Sequence, residues 1–324
     1  MTDRELELRF KKAVEACTPD VLDKVMAECD NYQDKVIPFE RKQNYFRKFT
    51  AIAAACVVIA GAGIFGFLNL SASRVASIVS LEVNPSIELK INKDEEVLEA
   101  NAMNADAEEI LAGMKLKGLD IHTATNALIG SLLKHGYIDE LANSILLSVE
   151  DEDSVRGDAL QETLSEEINA ILTGASVNAS ILSQYVDGEV VDAVSQEYQI
   201  SHGKAALIEH ILAANSNYTF EELSKLSVNE LSLIISNPKN QVEAVKATGE
   251  ATEQAYIGAE QANMIAFAHA GIEESSVYDL EVEIDYEYHM MVYDVEFESG
   301  DVEYEYFINA MTGEVVEYEK EYAE

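Results

Sequence analysis

SLEVNPSIELKIN, Ser80 to Asn92, decides how the rest of the chain is read. Leu81, Val83, Pro85, Ile87, Leu89 and Ile91 hold one phase of an unbroken alternation. Ser80, Glu82, Asn84, Ser86, Glu88 and Lys90 hold the other. A period of two is the signature of a β-strand with one face toward a core. Asn-Pro is ordinarily a turn signal, and proline cannot donate a ladder hydrogen bond. The unbroken phase nevertheless favours one continuous strand over residues 75 to 92, with Asn84-Pro85 in its middle.

Upstream, the 22 residues from Phe49 to Leu70 carry no charge, and they match the roughly 20 that cross a bilayer core as a helix. Arg41, Lys42, Arg47 and Lys48 precede this stretch and only Arg74 follows closely, which predicts a single-pass anchor with a cytoplasmic N-terminus. A cleavable signal peptide is the rival, but the charged 48-residue leader is far longer than a usual n-region. Cys17, Cys29 and Cys56 all fall before or within the span, so no disulfide framework supports the exterior.

Net charge is −38, and its distribution is uneven. Residues 1–48 hold ten basic and ten acidic side chains, whereas everything after residue 70 holds 12 basic against 50 acidic. Such a surface repels phosphate backbones and anionic lipid, which argues against direct nucleic-acid binding.

Within the segment 1–48, residues 2–30 read as two short amphipathic helices split at Thr18-Pro19, the first presenting Leu6, Phe10 and Val14 on one face. It is too small for a core of its own and suits capture of a soluble protein. No Cys-x-x-Cys and no histidine precede residue 122, so no zinc site is expected there.

Beyond the span, strands at 96–101, 143–149 and 176–185 alternate with helices at 105–112, 120–135, 154–173 and on to about 236, giving an α+β middle domain over 71–236. Asp120 is placed to cap a helix that Gly136 closes. Residues 237–255 are polar, open with Asn237-Pro238, and read as a linker. Residues 256–324 comprise a helix, Ala259 to Ala270, followed by an antiparallel meander with turns at Ser299-Gly300-Asp301 and Thr312-Gly313. From Ile272 to Glu324 there are 18 acidic residues and one lysine, read as the solvated face of that sheet in preference to a calcium or acid-base site. His202 and His210 are weak as metal ligands, and no metal or other cofactor is expected. Nothing resembles a phosphate loop or a nucleophile elbow.

With these residues laid out, SLEVNPSIELKIN just outside a single span, followed by NALIGSLLKHGYIDELANSILLSVED (Asn126 to Asp151), resembles the membrane-anchored anti-sigma-I (RsgI-like) factors of Firmicutes. The block YDVEFESGDVEYEYFINAMTGEV (Tyr293 to Val315) is similar to PepSY domains, which occur in secreted peptidases and envelope proteins. Members of the first family begin with a small β-rich sigma-binding domain; this chain begins with helices.

The resemblance implies a non-enzymatic signalling protein in the cell membrane, with a sigma factor as cytoplasmic partner and a membrane-embedded protease as a further one. For Asn84 and Pro85 it implies self-cleavage of the bond between them, the halves staying together. The chemistry needs no outside nucleophile: the Asn84 side-chain nitrogen attacks its own backbone carbonyl and releases Pro85 as an amine. Because proline has no N–H, the competing attack of the next residue's nitrogen on Asn84 is closed. The alternative function is an envelope PepSY protein that binds or inhibits peptidases or ligands, its N-terminus only an anchor.

Overall fold

In the computed structural model the described residues are Asp3–Cys17 and 74–322, with residue 241 excepted. Met1–Gly63 and Ile64–Glu324 are separate compact units. In the first, helix α1 spans Asp3–Cys17, with Leu6, Leu8 and Phe10 exposed. The second expected helix and the expected span Phe49–Leu70 lie outside the described residues. Among the described residues, no helix is long and apolar enough to cross a membrane.

In the second unit the opening stretch is two strands instead of one. β1 (Ser77–Glu82) and β2 (Ser86–Ile91) pair antiparallel, from Ser77 opposite Ile91 to Glu82 opposite Ser86, so the chain reverses over Val83, Asn84 and Pro85. This corrects the continuous-strand reading, and the reason is geometric. Partners across an antiparallel pair project to the same face. Each partner pair here sums to an even number, 77 with 91 and 82 with 86. Odd residues therefore stay with odd residues through the turn. A three-residue reversal preserves the phase of alternation, and periodicity alone cannot reveal it.

β3 (Val97–Ala102), β4 (Ser144–Asp151), β5 (Ser180–Val186) and β6 (Lys246–Thr248) complete a mixed sheet in the order β3-β2-β1-β4-β5-β6. β4 and β5 are parallel and the other pairs antiparallel. β1 is thus an interior strand, with six antiparallel partners on β2 and six on β4. One face carries Val79, Leu81, Ile87, Leu89, Ile91, Ile145, Leu147 and Val149, and it packs against α2 (Ala105–Leu111), α3 (Ile121–His135) and α4 (Ser154–Gly174). On the other face, Leu146 and Leu182 pack against α6 (His202–Ala214), α7 (Phe220–Ser224) and α8 (Val228–Ser236), with α5 (Gly188–Tyr198) beside α6.

Covering both faces buries the even residues of β1 as well, so five of its six residues are buried. As the capping pattern requires, the Asp120 carboxylate accepts from the His122 and Thr123 N–H groups, and Gly136 closes α3 at φ 75°.

The terminal region holds α9 (Ala259–Ala270) against β7 (Tyr278–Glu287), β8 (Met290–Ser299), β9 (Val302–Asn309) and β10 (Val315–Tyr322), a four-stranded antiparallel meander. Its core joins Ala262, Ala266 and Phe267 to Tyr293, Val295, Phe297 and Tyr306, with Leu233 of α8 included.

Residues 237–255, read as a linker, supply β6 and a polar seam. Asn237 Nδ2 donates to Asp285 Oδ2 at 3.0 Å, and Lys239 Nζ lies 2.8 Å from Asp294 Oδ2 and 2.6 Å from Glu296 Oε1. The acidic sheet face is therefore not wholly solvated: Asp285 and Asp294 are buried beneath this segment. A carboxylate can be buried there because a lysine and asparagine amides meet it.

Candidate functional site

The hairpin tip is built from residues that each have a reason to be there. Val83 and Pro85 are buried and Asn84 is exposed. The Val83 N–H donates to the Pro85 carbonyl at 3.1 Å, so position 85 is asked only to accept. A proline therefore leaves no ladder bond unmade. None of residues 82 to 86 has a positive φ, so the turn carries no left-handed strain.

Asn104, at the N-cap of α2, grips both sides of the Asn84-Pro85 bond. Its Nδ2 donates to the Asn84 carbonyl oxygen at 2.6 Å. Its Oδ1 accepts from the Ser86 N–H at 3.2 Å and from the Ala107 N–H at 2.9 Å. The Met103 N–H adds a bond to the Ser86 carbonyl at 2.9 Å.

Beneath the tip, β1 ends in a buried polar anchor. The Ser201 hydroxyl donates to Glu82, and Ser201 also caps α6 by accepting from the Lys204 N–H at 3.0 Å. Burial pushes the Glu82 carboxyl above its ordinary value of 4.5, against the opposing pull of Ser201 and Lys204. Burial likewise lowers Lys204, whose Nζ donates to the carbonyls of Ser224 and Leu226 at 2.9 and 2.6 Å. Gly203 permits this closeness: a Cβ there would lie 2.6 Å from Ser148 Oγ and 2.9 Å from Glu82 Oε1. Asn84, Asn104, Glu82, Ser201 and Lys204 line one cleft of about 570 Å³.

The other end of β1 is held by Asp151, which accepts from Ser77 Oγ at 2.5 Å and from Arg156 Nη2 at 2.6 Å. β1 thus has an acidic anchor at each end and apolar contacts between them.

Elsewhere the polar groupings read as structural. A larger cleft, about 810 Å³, runs along Asn143 and Thr252, whose side chains satisfy neighbouring backbone. Glu95, Asp120 and His122 bring potential ligand atoms together, as do Asp294, Glu296 and Glu305. His122 already bonds Glu167 and Glu95, at 3.0 and 3.3 Å, and Lys239 occupies the second group as its cation. His202 turns to Glu150 and Asp192, at 3.3 and 3.5 Å, while burial lowers His210.

Of the residues around the tip, sequence reading identified Asn84 and Pro85 and missed Asn104, Ser201 and Lys204. Asn104 is legible only as a helix cap, and its partner lies 20 positions away.

Residues 76–210 match the family described as the anti-sigma factor RsgI-like central domain, and residues 256–319 match the peptidase propeptide and YPEB domain, PepSY. Among curated proteins of Acetivibrio thermocellus, anti-sigma-I factor RsgI6 is 29% identical over 204 residues, covering 59% of this chain and 27% of that protein. Anti-sigma-I factor RsgI9 is 28% identical over 193 residues, covering 57% and 27%. Anti-sigma-I factor RsgI7 is 25% identical over 199 residues, covering 61% and 36%. The matched region thus spans about a quarter to a third of the length of these relatives.

Proposed function

Because the chain carries an RsgI-like central domain at 76–210 and a PepSY domain at 256–319, we propose that it is a membrane-anchored anti-sigma-I-type signalling protein. In this reading residues 1–48 restrain a sigma factor in the cytoplasm, 49–70 span the membrane, and the acidic α+β region outside senses the signal. Self-cleavage at Asn84-Pro85 prepares the release step.

In the cleavage the Asn84 Nδ2 bonds to the Asn84 carbonyl carbon and the bond from that carbon to the Pro85 nitrogen breaks. The proton lost by Nδ2 ends on the Pro85 nitrogen, and water later opens the resulting succinimide. The event happens once per chain and is not turnover catalysis.

The observation that carries the proposal is the place of β1. A cut at the tip leaves Ser77–Glu82 attached to the membrane side, yet as an interior strand between β2 and β4. Its hydrogen bonds and buried side chains hold the halves together without the peptide link. Withdrawal of that one strand separates sensor from anchor and leaves a short external stub for a membrane-embedded protease.

The partner is tested by affinity capture of the full-length chain. A sigma factor that is retained, and lost when residues 1–48 are deleted, supports the reading. A chain that retains no sigma factor and binds peptidases through its PepSY region favours the envelope-protein alternative.

A further inference from the structure

We infer that Asn104 is a catalytic residue of the Asn84-Pro85 cleavage, its Nδ2–H donating to the oxygen that becomes anionic when the bond is attacked. This rests on the self-cleavage reading above and adds to it the group that makes that carbonyl reactive.

The orientation of the Asn104 amide is fixed by its surroundings. Its Oδ1 faces two backbone donors, the N–H groups of Ala107 at 2.9 Å and Ser86 at 3.2 Å. Flipping the amide would set Nδ2 against those donors and oxygen against the Asn84 carbonyl oxygen. The end directed at the Asn84 oxygen, 2.6 Å away, is therefore the N–H end.

As Nδ2 of Asn84 bonds to the carbonyl carbon, the C=O double bond opens and its electron pair moves to oxygen. The Asn104 N–H then becomes a charge-assisted donor to an oxyanion, stronger than the bond it makes to the neutral carbonyl. That difference lowers the barrier, because only interactions that strengthen toward the transition state accelerate the step. Collapse of the oxyanion re-forms C=O and expels the Pro85 nitrogen, which takes up the proton shed by Asn84 Nδ2.

Position matters as much as charge. Asn104 touches the residue before the scissile bond through Nδ2 and the residue after proline through Oδ1, and the Met103 N–H ties the same corner to Ser86. The donor is thus held in place before the reaction and needs no reorganisation during it.

The test uses full-length chain synthesised in a cell-free system with lipid vesicles. Cleavage is followed on denaturing gels for wild type, Asn84→Ala, Asn104→Asp and Asn104→Ser. Asp and Ser both cap helices well, so α2 keeps its first turn while the N–H donor is lost. Wild type is expected to be cut, Asn84→Ala to stay whole, and both Asn104 variants to slow by about 10²–10³-fold, the effect of losing one oxyanion donor. Their circular dichroism and resistance to limited proteolysis should stay as in Asn84→Ala.

Wild-type cleavage with either folded Asn104 variant cut at the wild-type rate overturns the inference while leaving self-cleavage intact. Slowing accompanied by lost protease resistance in both variants also overturns it, because Asn104 would then be a structural cap alone. An uncut wild type removes the cleavage reading itself.

Discussion

Glu82 and Ser86 face each other as the last rung of the β1-β2 hairpin, and the Asn84-Pro85 bond lies on the three-residue reversal between them, with Asn84 exposed and Pro85 buried. The bond is therefore at a strand end, where a break costs no ladder hydrogen bond beyond those of the tip. Apart from the Val83–Pro85 and Asn104–Asn84 hydrogen bonds at the tip, what would hold the two pieces together lies at and below that rung.

Replacing Pro85 separates two fates of Asn84. Pro85→Ala restores the backbone N–H at that position, and with it the route in which this nitrogen attacks the Asn84 side chain. The variant is expected to lose chain cleavage and to accumulate deamidation and isoaspartate at residue 84. Peptide mapping by mass spectrometry reads both.

Retention of the fragment N-terminal to the cut should depend on the core residues of β1. Leu81 is 1% exposed, and truncation of a buried leucine to alanine typically costs about 2–5 kcal/mol. Leu81→Ala is expected to speed dissociation of the cleaved halves without changing where the chain is cut. The half-buried Ile78 should give a smaller effect on truncation. Native gel filtration followed over time measures the loss.

The two ends of β1 should respond to pH in opposite directions. Burial raises Glu82, so its contribution is full below the ordinary 4.5 and is lost as pH rises through the raised folded value. At the other end burial works against ionisation of Asp151, yet hydrogen bonds from Arg156 and Ser77 hold its carboxyl below 3.8. Its contribution is present above 3.8 and is lost as pH falls through the depressed folded value. Fragment dissociation in wild type should accelerate both in strong acid and as pH climbs from the Glu82 range. Glu82→Gln should flatten only the second rise; an unchanged profile would remove Glu82 as its source.

Lys239 offers a test of how the terminal sheet is docked. Its ammonium meets Asp294 and Glu296 at 2.8 and 2.6 Å and lies 3.8 Å from Glu283. The lysine is half exposed whereas Asp294 is nearly covered, which places the pair between a screened surface bridge and a buried one. Lys239→Ala is expected to lower stability by about 1–2 kcal/mol at neutral pH. The loss should shrink in acid, where Asp294, already raised by burial, is protonated. Thermal melts at two pH values decide it.

Much of this architecture was legible in local pattern. The caps at Asp120 and Gly136, the helix before Gly271 and the alternation of the terminal strands each declare themselves within a few residues. The odd-even facing within Val79–Glu82 and Ser86–Ile91 was legible too, but the reversal at Asn84 was not, because a three-residue turn leaves odd and even positions in phase.

What escaped was long range. Glu82 meets Ser201 across 119 positions, Asn104 meets Asn84 across 20, and Lys239 finds Asp294 across 55. No periodicity encodes such pairings. The polar run 237–255 has the composition of a linker, and its place comes from distant partners: the buried carboxylates of β7 and β8, strand β5 and Asn143.

If the chain is cut at Asn84-Pro85, β1 should keep its two halves in one folded body. The most direct test is to purify the full-length 35.7 kDa chain under native conditions and then measure intact mass before and after denaturation. The expected result is one native species that separates on denaturation into residues 1–84 and 85–324, the second beginning at Pro85. A single uncut chain after prolonged incubation would contradict it.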